Sequence, residues 1–137
     1  MKRYYKILGL LFLIALVTAC TSNKKIVLPM PQNVTEIKLV DSDTENKVSI
    51  TKQDEIKSII DDLVNDSKIT KKDSINDAPT NVDEYIGIYF THKGTGYGES
   101  VAYVYKKDGV NYLEQPYSGI WKLGDKTFDN INQYFEK

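Results

Sequence analysis

The chain reads as an α+β domain, on three observations: short segments that alternate apolar and polar residues, one segment between them with apolar residues at helical spacing, and polar or glycine turns at the joints. Ile37 and Leu39 alternate with Glu36 and Lys38, and Val48 and Ile50 alternate with Lys47 and Ser49. The polar stretch 42–46 between them predicts an opening hairpin. Thr51 and Asp54 then stand at the spacing of a capping box, with Asp in place of the usual Glu. Behind them Ile56, Ile59, Ile60 and Leu63 fall at i, i+3, i+4 and i+7, which predicts an amphipathic helix ending near Asn65. Residues 66–83 follow neither period, apart from room for a short strand at Ile69, and are long for a connection in a small domain.

Strands are expected next at 84–92, 100–107 and 110–115, all rich in aromatic and β-branched residues. Asp108-Gly109 between the last two is a two-residue hairpin signal, because glycine readily supplies the positive φ of a type I′ turn. Pro116 to Gly119 turns the chain into a short strand at 120–123. Asp125 is placed to cap a closing helix on which Phe128, Ile131 and Phe135 share a face. The expectation is a small antiparallel sheet of about five to six strands in hairpins, packed by one amphipathic helix, with a second helix at the C-terminus.

A two-residue turn at Asp108-Gly109 sets a register in which Lys107 opposes Val110, Tyr105 opposes Tyr112 and Val104 opposes Leu113. If the preceding strand pairs in phase, Ile86, Ile88, Phe90, Ala102, Val104 and Leu113 share one face. Tyr85, Tyr89, Tyr103, Tyr105 and Tyr112 share the other. The aliphatic face is the seat for the helix. The tyrosine face is the candidate binding surface, a platform able to stack on sugar rings or clasp a peptide. Its structural alternative is a tyrosine stripe packed beneath residues 66–83.

The N-terminus carries a different kind of signal. Lys2, Arg3 and Lys6 precede the apolar run 7–17, which ends in Thr18-Ala19-Cys20. These are the parts of an export signal, and the run is too short to span a bilayer, which takes ~20 apolar residues. Leu16-Val17-Thr18-Ala19-Cys20 resembles the lipobox of bacterial lipoproteins. That resemblance implies cleavage between Ala19 and Cys20, a diacylglyceryl group with its fatty-acyl chains on the Cys20 thiol, and anchoring to the outer face of the cell membrane. Cys20 is the only cysteine, so no disulfide can form within the chain. The division expected is a signal peptide at 1–19, a lipidated cysteine and extended tether at 20–33, where Pro29 and Pro31 disfavour helix, and a single domain at 34–137.

Loss of Lys2, Arg3 and Lys6 with the signal leaves 15 basic against 19 acidic residues, a net charge of about −4. No basic stripe points to nucleic acid. Gly94, Gly96 and Gly98 are followed by a strand rather than a helix, so no phosphate-binding helix start is present and a hairpin tip is expected. His92, the only histidine, cannot assemble a typical zinc site without free cysteines. Asp73, Asn76, Asp77, Asp83 and Glu84 could offer oxygens to calcium, but their spacing is not that of an EF-hand, and they read as a solvated acidic loop. No metal or cofactor is expected. Ser74, Ser100 and Ser118 lack a nucleophile-elbow motif, and Glu84 with Glu114 is the one acidic pair a cell-wall hydrolase could use.

Several segments together resemble small Gram-positive surface lipoproteins grouped as a domain of unknown function. They are Leu28-Pro29, Ser74-Ile75-Asn76-Asp77 with Pro79-Thr80, Tyr85-Ile86, and Lys107-Asp108-Gly109 followed by Tyr112, Glu114-Gln115-Pro116-Tyr117 and Gly119-Ile120. Trp121 departs from the pattern, which has Tyr there more often. The resemblance implies a lipoprotein of about this size and assigns no catalytic residue. The expected function is a non-catalytic binding or interaction module with a cell-wall, peptide or protein ligand. A peptide-sequestering lipoprotein of the bacteriocin-immunity kind is the alternative, and a cell-wall enzyme ranks below both.

Overall fold

In a computed structural model, which describes residues 24–94, 96 and 98–137, the strands form one seven-stranded antiparallel sheet. β1 (Val34–Asp41) and β2 (Lys47–Ile50) make the opening hairpin, and α1 (Gln53–Asn65) follows. Then come β3 (Ser67–Ile69), β4 (Ile86–His92), β5 (Glu99–Lys107), β6 (Val110–Gln115), β7 (Gly119–Leu123) and α2 (Asp125–Asn132). The spatial order is β2-β1-β4-β5-β6-β7-β3. The short β3 is a full member of the sheet and closes its edge against β7, with Ile69 opposite Trp121.

The register matches the one read from the turn. Lys107 opposes Val110, Tyr105 opposes Tyr112 and Val104 opposes Leu113, while Ile86 opposes Val104 and Ile88 opposes Ala102. Asp108 and Gly109 both take positive φ, 52° and 76°, as a type I′ turn requires. One face of the sheet is therefore aliphatic. Ile37, Leu39, Ile88, Phe90, Val104, Leu113 and Trp121 form one core with Ile56, Ile59, Ile60 and Leu63 of α1 and Ile131 of α2. Phe128 and Phe135 pack at its margin, Phe135 from a single 3-10 turn that follows α2.

Both helix starts differ from expectation. Lys52 rather than Thr51 precedes α1, and no side chain caps it; the first residue, Gln53, ties the helix start to β1 by donating from its side-chain Nε2 to the Val34 carbonyl at 2.9 Å. Asp125 is the first residue of α2 rather than its cap, and Gly124 precedes it. The Asp125 carboxylate is taken up by the amide of buried Asn111, which donates at 2.6 Å. At α2 the expected cap is thus drawn into a tertiary hydrogen bond instead.

The expected tether is also corrected. Ile26 is 3% exposed and belongs to the main core, with Leu28 packed beside it. The Trp121 indole N–H donates to the Lys24 carbonyl at 3.0 Å, and the Gln115 amide donates to the Val27 carbonyl at 2.9 Å. Pro31 opens a single 3-10 turn, Pro31–Asn33, and before it the chain is extended and turns alternate side chains to one side, so Ile26 and Leu28 reach the core while Val27 stays in solvent. Ala19 and Cys20 lie outside the described residues.

Truncation of Leu113, fully buried between α1 and the sheet, should cost about 2–5 kcal/mol in urea melts of Leu113→Ala. Ile26→Ala should lose stability on the same scale of about 2–5 kcal/mol. A residue of a free tether would lose none.

Candidate functional site

The order of strands decides what happens to the tyrosine face. β3 lies at the edge beyond β7, whereas β4 lies on the other side of β5 and β6, so the connection from Thr70 to Tyr85 must cross the sheet. It crosses on the face opposite α1. Thr70 donates to the Ile120 carbonyl from both its amide, at 3.0 Å, and its hydroxyl, at 2.7 Å. Lys72 Nζ donates to the Tyr112 hydroxyl at 3.2 Å and sits 4.5 Å from its ring centre. Val82 packs on a second apolar cluster made by Tyr105, Tyr112 and Ile120.

Beneath this loop lies a buried carboxylate. Glu114 is 6% exposed and accepts from the Ser74 hydroxyl at 2.7 Å and from the Tyr105 hydroxyl at 2.9 Å. Burial, and then the bond to Glu114, push the Tyr105 phenol well above its usual range. Tyr105 and Tyr112 are thus buried side chains with their rings 5.6 Å apart, and at these two positions the expected platform is roofed. The loop segment buries a serine where its partner is a carboxylate, so the cover is fastened by a charge-assisted bond. A cavity of about 220 Å³ remains between loop and sheet, lined by Lys72, Ile75, Tyr105, Lys107 and Glu114 among others.

The other tyrosines form a second group. Tyr85 and Tyr103 meet edge to face at 5.3 Å. Tyr89 lies across Gly87, where a Cβ would come within 2.7 Å of its ring, so glycine makes room for the tyrosine. Tyr103 is buried, and Tyr85 and Tyr89 are half-buried. Burial, reinforced by the neighbouring Tyr89 hydroxyl, pushes the Tyr103 phenol up to about 12.

Sequence reasoning missed one sizeable concavity. At the end of the sheet where β1 finishes and β4 begins, a cleft of about 500 Å³ is lined by Asp41, Asp83, Glu84, Tyr85, Lys106 and Phe128, with Ile86, Val104, Tyr105 and Asn132. It has the volume of a small-ligand or side-chain site. Its lining includes three carboxylate residues against one lysine, and the Lys106 ammonium lies 5.5 Å from the centre of the Phe128 ring. Asp41 is partly engaged, accepting from the Asp43 amide at 2.9 Å. No sequence period signals such a cleft, because it draws on β1, the loop before β4, β5 and α2.

The remaining polar residues are dispersed. Asp77 accepts from the Tyr117 hydroxyl at 2.9 Å, which pushes that phenol up; Asp73 and Asn76 line the small cavity; Asp83 and Glu84 line the cleft. Glu84 and Glu114 border different cavities. His92 Nε2 lies 2.9 Å from the Ser100 hydroxyl across the β4–β5 hairpin, and among the described residues no carboxylate completes a triad with this pair.

A family model described as "Domain of unknown function (DUF5300)", and named DUF5301, matches residues 22–122. The chain belongs to the DUF5301 family. The match reaches back to residue 22, in keeping with the packed position of Ile26 and Leu28. Among solved structures, the DUF5301 chain is similar to an NMR structure of a protein from Ruminococcus gnavus. The TM-score is 0.62 at 25% identity, with 76% of this chain and 99% of that one covered. No curated protein matches the chain.

Because Tyr105 is buried and bonded to Glu114, Tyr105→Ala should destabilise the fold by about 3–5 kcal/mol, the scale of a core aromatic, rather than the ~1 kcal/mol of an open cross-strand pair. Urea melts measure the difference. Tyr103 makes a pH prediction: its folded value is raised, so its contribution to stability is intact below pH 10 and is lost as pH climbs towards about 12. The drop in melting temperature over that interval should be smaller in Tyr103→Phe than in the parent.

Proposed function

We propose that the chain is a lipid-anchored extracytoplasmic lipoprotein of the Gram-positive surface type, and that its domain is a non-catalytic binding module. Leu16 to Cys20, after a basic and then an apolar segment, supports the anchor. Two acyl chains on Cys20 would hold the protein firmly, at roughly 0.8 kcal/mol per buried methylene. The single observation that carries the binding role is the cleft of about 500 Å³ lined by three carboxylate residues together with Tyr85 and Phe128. It takes the place of the tyrosine platform, which is roofed at Tyr105 and Tyr112.

The chemistry of the lining favours a cationic ligand. Asp41, Asp83 and Glu84 attract positive charge, and Phe128, which lines the same cleft, already has the Lys106 ammonium 5.5 Å from its ring centre, so the lining suits an ammonium or guanidinium group. A basic peptide side chain suits both features, which favours the peptide-sequestering reading among binding functions.

Two measurements test this function. Fatty-acid labelling of cells should mark the parent and be lost in Cys20→Ser, since serine has no thiol for the thioether. Fluorescence anisotropy with a labelled hexalysine peptide should show binding at low salt that weakens several-fold in Asp83→Asn/Glu84→Gln. Equal binding by that variant would remove the cleft as the site.

A further inference from the structure

We infer that the end of the sheet carrying Lys24 and the β6–β7 turn seats on the surface of the lipid bilayer, so that the cleft opens away from it; this rests on the lipid anchor at Cys20. The chain is pinned where it enters the domain. Lys24 accepts from the Trp121 indole at 3.0 Å through its carbonyl, and its ammonium donates to the Ser118 carbonyl at 2.6 Å. Four residue steps separate Cys20 from Lys24, a reach of at most ~14 Å. A lipidated cysteine sits at the base of the headgroups, which are roughly 5–8 Å thick on each side of the hydrocarbon core. What remains of that reach is shorter than the domain is wide, since a hundred residues have a radius of gyration of about 13 Å. Such a link cannot hold the domain clear of the headgroups.

The surface at this end suits a membrane. Val27 is 79% exposed, Tyr117 67% and Met30 58%, apolar or amphipathic side chains left in solvent beside the entry point. Tyrosine favours the membrane–water interface. Lys24, Lys25 and Lys93 are exposed, and Lys93 belongs to the same end because its amide donates to the Asn33 carbonyl at 2.7 Å. These cations complement an anionic leaflet. Among the carboxylates at this end, Asp77 accepts from the Tyr117 hydroxyl, Glu36 accepts from the Ser49 hydroxyl, and Glu99 pairs with Lys38. Strand direction places the cleft at the other end. Val34 pairs with His92 at the membrane end of β1 and β4, and Asp41 pairs with Ile86 at the cleft. The seven residues of β4 set these ends roughly 20 Å apart.

The test uses the lipidated full chain in vesicles of phosphatidylcholine with one-third phosphatidylglycerol. Cys20 carries the lipid in this chain, so a cysteine introduced at an exposed position is the only free thiol for a nitroxide label. Val27→Cys marks the proposed membrane end, and Asp43→Cys, in the exposed β1–β2 turn, marks the cleft end. With the protein floating on vesicles, the label at 27 should be shielded several-fold from a water-soluble nickel relaxant relative to the label at 43. Equal accessibility at the two positions in floating protein would overturn the orientation and leave the anchor standing. Protein that fails to float with the vesicles would overturn the anchor, and the orientation with it.

Discussion

Asp108 and Gly109 join β5 and β6 in a two-residue turn, and the register this turn imposes is the constraint on which the rest of the molecule rests. Side chains on a strand alternate with a period of two, so a slip of one residue would send Leu113 and Val104 to the face now held by Tyr105 and Tyr112. The helix would then lose its seat. With the observed register, fully buried Leu113, Val104, Phe90 and Ile88 lie under α1, and Tyr105 and Glu114 lie on the opposite face, within reach of the loop that crosses it.

That crossing is a consequence of strand order. A chain leaving β3 at the sheet edge can reach β4 only by passing β7, β6 and β5, and α1 already occupies one face. The loop therefore lies on the tyrosine face, where Ser74 and Tyr105 supply the donors that a buried carboxylate needs. Glu114 would be costly to bury without them. The loop emerges beside β1 and β5 without pairing fully with either, and the cleft lined by Asp83, Glu84 and Lys106 opens at that departure.

Trp121 plays the matching role at the other end. It is fully buried, opposes Leu113 on one side and Ile69 on the other, and spends its single N–H on the Lys24 carbonyl. One side chain thus joins the sheet edge, the core and the entering chain. Lys24, four residues beyond the proposed anchor at Cys20, is thereby tied to the core.

Features that depend on near neighbours are legible along the chain. Alternation in β4, β5 and β6 named the two faces, Asp108-Gly109 set their register, and Ile56 to Leu63 named the buried side of α1. Period and turn chemistry are local, so they survive being read one residue after another. Helix starts were less legible, since the carboxylate expected to cap α2, Asp125, accepts instead from Asn111 on β6, a tertiary partner. Strand order and long-range packing roof the tyrosine face, bring Ile26 into the core, and line one cleft with three carboxylate residues. Each depends on which strands are neighbours, and the place of β3 at the far edge is a long-range pairing that no local pattern encodes.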